Sequence, residues 1–175
     1  MRLFIAINFT SEFKEALINI INQVKPQVKK ARYTLQENLH LTLVFIGESK
    51  DTATITQLMD EVQFDPFSLS LSDVGSFNRN GKAIFWVGLE ENSILQNIAA
   101  ELSSSLRAKG FSIENKKFVP HITLAREMLI NFPPIVKCPK VSMQVDTISL
   151  MKSERIDNKL VYTEIFSKKN KLTKI

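Results

Sequence analysis

The chain holds two histidines, His40 in "HLTL" and His121 in "HITL", 81 positions apart. Each stands in the same context of histidine, apolar residue, threonine and leucine. In a β-strand, side chains alternate between faces. That alternation puts His40, Thr42 and Val44 on one face and Leu41, Leu43 and Phe45 on the other, ready to pack under a helix. In the second copy it puts His121, Thr123 and Ala125 opposite Ile122 and Leu124. Each strand then buries its apolar side and shows an imidazole beside a hydroxyl. Imidazole titrates near neutrality, so one copy can accept a proton while the other donates one. Threonine hydroxyls can donate hydrogen bonds to the non-bridging oxygens of a tetrahedral oxyanion. Phosphodiester transfer needs this set of groups and requires no metal or cofactor. One histidine among apolar strand residues is ordinarily structural; two in matching contexts, in a chain with no others, favour function.

Other chemistries lack their residues. Two histidines supply too few ligands for a metal shell, and there is no HExxH or cysteine cluster. There is no GxSxG, P-loop or GxGxxG either. Cys138 is the lone cysteine, which precludes an internal disulfide and fits a reducing, cytoplasmic setting. We read it as incidental packing. The formal charge of +5 and the sequence pI of about 9.3 suit a polyanionic partner such as RNA. Several of the lysines fall in the terminal "SKKNKLTKI", which is expected to be a solvated, fraying end. No apolar run approaches the ~20 residues that span a bilayer, and "RLFIAIN" reads as a first strand and not as a signal peptide.

The elements that must position the motifs follow from periodicity. Residues 2–8 form a buried strand. A helix follows, capped by Thr10 or Ser11, with Phe13, Leu17, Ile20, Ile21 and Val24 on one stripe and Pro26 ending it. "LHLTLVFIG" is a strand closed by Gly47, and residues 51–62 a second helix. Residues 67–89 make an antiparallel pair around "NRNGK". Asn92 caps a third helix with Leu95, Ile98, Leu102 and Leu106 on its stripe and Gly110 just past its end. "HITLA" is a strand. "VSMQVDTISLMKSERIDNKLVYTEIF" reads as two long strands around a turn at Asp157 and Asn158. Paired strands with helices between them argue an α+β class with mainly antiparallel sheet. No linker divides residues 1–175, and one HxTL after each strand-helix unit hints at an internal duplication within a single domain.

The sequence resembles the two-histidine phosphoesterases, in particular the RNA 2′,3′-cyclic phosphodiesterases also called 2′-5′ RNA ligase-like proteins. The resemblance rests on "RLFIAI", "ENLHLTLVFIG", "AIFWVGL" and "GFSIENKKFVPHITLAR", in that order. It implies a bilobal fold in which two antiparallel sheets flank a central cleft, with helices outside. It implies metal-independent hydrolysis of RNA-terminal 2′,3′-cyclic phosphate to a 2′-phosphomonoester, with a reversible 2′-5′ ligase activity. Apart from that resemblance, the chain is expected to act as a monomer. His40 would be the general acid and His121 the base, with Thr42 and Thr123 holding the phosphate. Arg126 would be a further phosphate contact, although strict alternation points it to the Ile122 face unless a bulge intervenes. The family often has Trp where this chain has Tyr33. Phe77 and Trp86 read as core residues that could instead stack on a base. Two alternatives stay open: a phosphodiesterase for another small nucleotide-linked phosphate, and a non-catalytic nucleotide- or RNA-binding module.

Overall fold

A computed structural model of the protein describes residues 1–170, Arg79 by its backbone alone. In chain order the elements are β1 (Arg2–Asn8), α1 (Ser11–Val24), β2 (Lys30–Tyr33), β3 (His40–Glu48), α2 (Thr52–Glu61), β4 (Phe67–Arg79), β5 (Lys82–Leu89), α3 (Ser93–Ala108), β6 (His121–Leu129), β7 (Ser142–Val145), β8 (Thr147–Ile156) and β9 (Lys159–Lys169). The helix ends follow side-chain chemistry. The Thr10 hydroxyl accepts the Phe13 amide at 3.3 Å, Asp51 accepts Thr54 at 3.0 Å and Asn92 accepts Leu95 at 2.9 Å. Each cap satisfies a donor that has no partner within its helix. Both tight hairpin turns, Asn80-Gly81 and Asp157-Asn158, have positive φ at both central residues, the backbone whose twist matches that of the strands it joins.

The strands form a four-stranded sheet in the order β3-β1-β8-β9 and a five-stranded sheet in the order β2-β6-β5-β4-β7. All pairings are antiparallel. Each motif strand thus lies in a different sheet, and the two strands contact each other. One apolar core joins the inner faces of both sheets to the buried stripes of all three helices, including Phe13, Leu17, Ile55, Leu95 and Leu102. Helix α1 contacts β6 and α3 contacts β3, so each helix supports the opposite motif strand. No described helix is long and apolar enough to cross a membrane.

Several expectations need correction. The last third holds three strands, because β7 pairs with β4 in the five-stranded sheet before the chain crosses to β8 in the other. The chain turns at Asp146, whose carboxylate accepts the Thr147 hydroxyl at 2.7 Å. Strand β2 carries too short and too polar a pattern to read from sequence. The expected fraying end is ordered as far as it is described. Lys169 pairs with Thr147, and buried Asn170 donates its amide to Phe64 O at 2.8 Å. Residues 171–175 of "SKKNKLTKI" lie outside the described residues.

Candidate active site

Strict alternation fails at the same place in both motifs. Ile5 pairs with Val44 and Ala6 with Thr42, so Leu43 is an extra residue in β3. Phe85 pairs with Ala125 and Trp86 with Thr123, so Leu124 is an extra residue in β6. Each bulge re-aims everything after it. Val44 and Ala125, expected beside the histidines, are buried in the core instead. Phe45, expected under a helix, is 66% exposed and lies 6.3 Å from the Phe4 ring. The same shift puts Arg126 on the face opposite Ala125, and its charge acts on His40 across the cleft. The Leu124 carbonyl is not wasted: it accepts the Thr34 amide at 2.9 Å, while the Thr34 hydroxyl donates to Thr123 O at 2.9 Å.

The two imidazoles are held alike. His40 Nδ1 lies 2.7 Å from Asn38 O, and His121 Nδ1 lies 2.8 Å from Val119 O. A carbonyl oxygen can only accept, so Nδ1 must carry the hydrogen in both rings. That assignment leaves each Nε2 as the nitrogen able to take up a proton. In His40 it lies 2.9 Å from Thr42 Oγ1. Thr123 stands two residues after His121, and both are half-buried on the same side of the strand.

Their surroundings differ. The His40 ring packs 4.9 Å from Phe4 and 5.1 Å, edge-on, from Tyr162. Burial lowers the His40 pKa, and the charges of Arg126 and Lys14 lower it further, against an opposing pull from the Asn38 carbonyl. Asn38 is itself buried, and its side-chain amide donates to Leu160 O at 2.8 Å. It therefore ties the β8–β9 hairpin, which carries Tyr162, to the His40 carbonyl partner. On the same cleft floor the Glu164 carboxylate accepts Ser149 at 2.6 Å and Asn8 at 3.1 Å.

His121 is flanked by Phe77 at 5.2 Å and Trp86 at 6.3 Å. These two rings, read from sequence as core, stand outside the apolar core, and Phe77 is 41% exposed. Trp86 Nε1 is buried with no hydrogen-bond partner among the described residues. The Trp86 ring fills the space over Gly75, where a Cβ would come within 2.3 Å of Cζ2.

Sequence reasoning missed Phe4, Lys14, Asn38 and Tyr162. None carries a local signal, since each reaches His40 only through strand register or hairpin closure. Cys138 lies apart from both motifs, and burial raises its thiol pKa, which leaves it a poor nucleophile. Two surface hollows of about 540 and 580 Å³ also exclude both histidines. One sits beside Lys29 and Phe132, the other between α1 and Cys138. Among the described residues no group of three or more His, Cys, Asp or Glu side chains is placed to hold a metal ion.

The chain has clear relatives. The sequence pattern of the 2′-5′ RNA ligase superfamily matches residues 13–157. An RNA 2′,3′-cyclic phosphodiesterase of Thermotoga maritima is 36% identical over 152 residues, 77% of this chain and 80% of that one. One of the same name from Archaeoglobus fulgidus is 33% identical over 129 residues, 72% of each chain. The crystal structure of Escherichia coli LigT complexed with 3′-AMP superposes with a TM-score of 0.81 at 27% identity, covering 99% of this chain and 98% of that one.

Proposed function

Because the chain belongs to the 2′-5′ RNA ligase superfamily, we propose that it is a phosphodiesterase that opens RNA-terminal 2′,3′-cyclic phosphate to a 2′-phosphomonoester. The relatives named for this activity span most of the chain. The observation that carries the reading is the matched pair of imidazoles, each with Nδ1 committed to a main-chain carbonyl and Nε2 left to work.

In this mechanism His121 Nε2 takes a proton from water as the water oxygen attacks phosphorus. The P–O3′ bond breaks, and His40 Nε2–H protonates the departing 3′ oxygen. Thr42, Thr123 and Arg126 hold the non-bridging oxygens, where donors fixed in advance stabilise the charge that builds in the transition state. His40 must be protonated to act as the acid, yet its surroundings favour the neutral form. The substrate's own negative charge offsets Arg126 and Lys14 and restores the proton when it binds. An RNA 5′ hydroxyl in the water's place would leave a 2′-5′ linkage by the same proton transfers. Phe77 and Trp86 offer aromatic faces on which a base can stack beside His121.

The same reading takes the two halves as diverged copies within one bilobal domain. Its support is the shared burial order from His to the residue after Leu, the shared extra leucine, and the reciprocal contacts of α1 with β6 and α3 with β3.

The test is product analysis on an oligoribonucleotide ending in 2′,3′-cyclic phosphate, with wild type, His40→Ala and His121→Ala in parallel. Wild type should yield the 2′-phosphate, and each variant should lose ~10²–10⁴ in rate, the usual worth of a general acid or base. Full activity in either variant would make that histidine structural and break the pair.

A further inference from the structure

The cleft wall of the five-stranded sheet is polar along one edge and aromatic along the other. In the strand order, β5 and β4 carry Trp86 and Phe77, while β6 and β2 carry Arg126 and Arg32 on the opposite flank. Arg32 and Arg126 are direct cross-strand partners, so their side chains leave the sheet on one face. Their sequence neighbours Tyr33 and Ala125, also cross-strand partners, pack on the core, which leaves the cleft face to the arginines. Both charges reach Tyr162, which belongs to β9 in the other sheet. Arg2 adds to the same field.

Neither guanidinium is spent on holding the fold. Arg126 forms no ion pair among the described residues. Arg32 has one, to Glu127 at 3.6 Å, with the two side chains 59% and 50% exposed. Exposed pairs of that kind hold little in place. Like charges directly opposite in a sheet repel, and the exposed Glu127 carboxylate offsets only part of that repulsion, so a bound anion beside the pair relieves the rest. The reactive phosphate can engage Arg126, next to the motif. It leaves the five-donor fork of Arg32 facing the cleft one strand further out.

We propose that Arg32 binds the internucleotide phosphate preceding the terminal nucleoside, so that the protein acts on polynucleotide ends in preference to free nucleoside cyclic phosphates. This rests on the phosphodiesterase reading above and assigns the residue that sets its preference for polymer ends. A strand end would lie across the cleft with its last base toward Phe77 and Trp86 and its backbone running out over β2. An open groove suits such a chain, because the polymer must leave the site continuously.

The experiment compares uridine 2′,3′-cyclic phosphate bearing a free 5′ hydroxyl, the same nucleotide bearing a 5′-phosphate, and the dinucleotide ApU ending in 2′,3′-cyclic phosphate. The expected wild-type kcat/KM is higher for the latter two by about ten- to a hundredfold, the range for a hydrogen bond to a charged group. Arg32→Gln should erase that preference through KM, and Arg32→Lys should keep part of it. The salt dependence of kcat/KM on the dinucleotide should also weaken by about one charge in Arg32→Gln. Equal loss on all three substrates, or no wild-type preference for a 5′-phosphate, overturns the assignment of Arg32. A preference for the 5′-monophosphate without one for the dinucleotide also overturns it, since it points to mononucleotides. Wild type that turns over none of them overturns the phosphodiesterase reading instead.

Discussion

Strands β3 and β6 present the same device in different settings. Both begin with a histidine whose Nδ1 is tied to the carbonyl two residues upstream, and both bulge at the leucine of HxTL. His40 lies against buried Phe4 and half-buried Tyr162, with Arg126 and Lys14 pressing on its charge. His121 lies against Phe77, which is open to solvent, and against Trp86. Local geometry therefore gives both rings the same tautomer, while the groups packed around them differ. The surroundings of His40 favour its neutral form, so the proposed acid role depends on the charge that a bound phosphate brings.

The comparison can be broken first at Arg126. Arg126→Gln should lower kcat/KM by about ten- to a hundredfold, as loss of a charged hydrogen bond to phosphate would. It should also move the alkaline limb of kcat/KM to higher pH, because it removes a charge that lowers the His40 pKa. The sign follows from the proposed acid role of His40: activity falls as pH rises through the pKa of a group that must be protonated, and that pKa goes up in the variant. A pH–rate profile with an unmoved limb would mean that Arg126 does not act on His40.

A second perturbation isolates the other histidine. Gly75→Ala drives a methyl into the Trp86 ring, and overpacking of this kind costs roughly 1–3 kcal/mol. Gly75 has no positive φ, so the effect is steric and should be felt at Trp86 and His121 before His40. Urea unfolding with NMR titration of both imidazoles would check it. A His40 resonance shifted more than that of His121 would refute the separation of the two settings.

The smallest effect is on stability. Because the folded-state pKa of His40 lies below its ordinary 6.5, both states are neutral above that value and its contribution is constant. As pH falls below 6.5 the unfolded chain takes up the proton first, and stability declines toward the folded pKa. The slope is at most about 1.4 kcal/mol per pH unit for one proton. Denaturation midpoints between pH 7.5 and 5 should show a shallower decline in His40→Gln than in wild type. An equal decline would deny burial its part in the His40 environment.

Much of this was legible from residues alone, and the failures have one cause. Helices α1, α2 and α3 were readable because their caps and apolar stripes are local. The two histidines were readable because a rare residue recurred in one context. Val44, Ala125 and Phe45 were misplaced because a bulge depends on which strand lies alongside, and the motif's own residues carry no trace of it. Arg126 turned on the same point: alternation aims it at the core side, and the extra Leu124 turns it out.

Sequence by itself determined the α+β class, the helix boundaries, the pairing of β4 with β5 and the types of group that can move protons, since caps, turns and periodicity act over a few residues. Tertiary structure decided which faces those groups occupy. It joined Tyr162 to His40 through the register of β9, locked the hairpin to the motif through Asn38, and set Arg32 beside Arg126 across two strands. It also placed His40 where burial and charges from distant parts of the chain lower its proton affinity, and His121 beside the rings of Phe77 and Trp86.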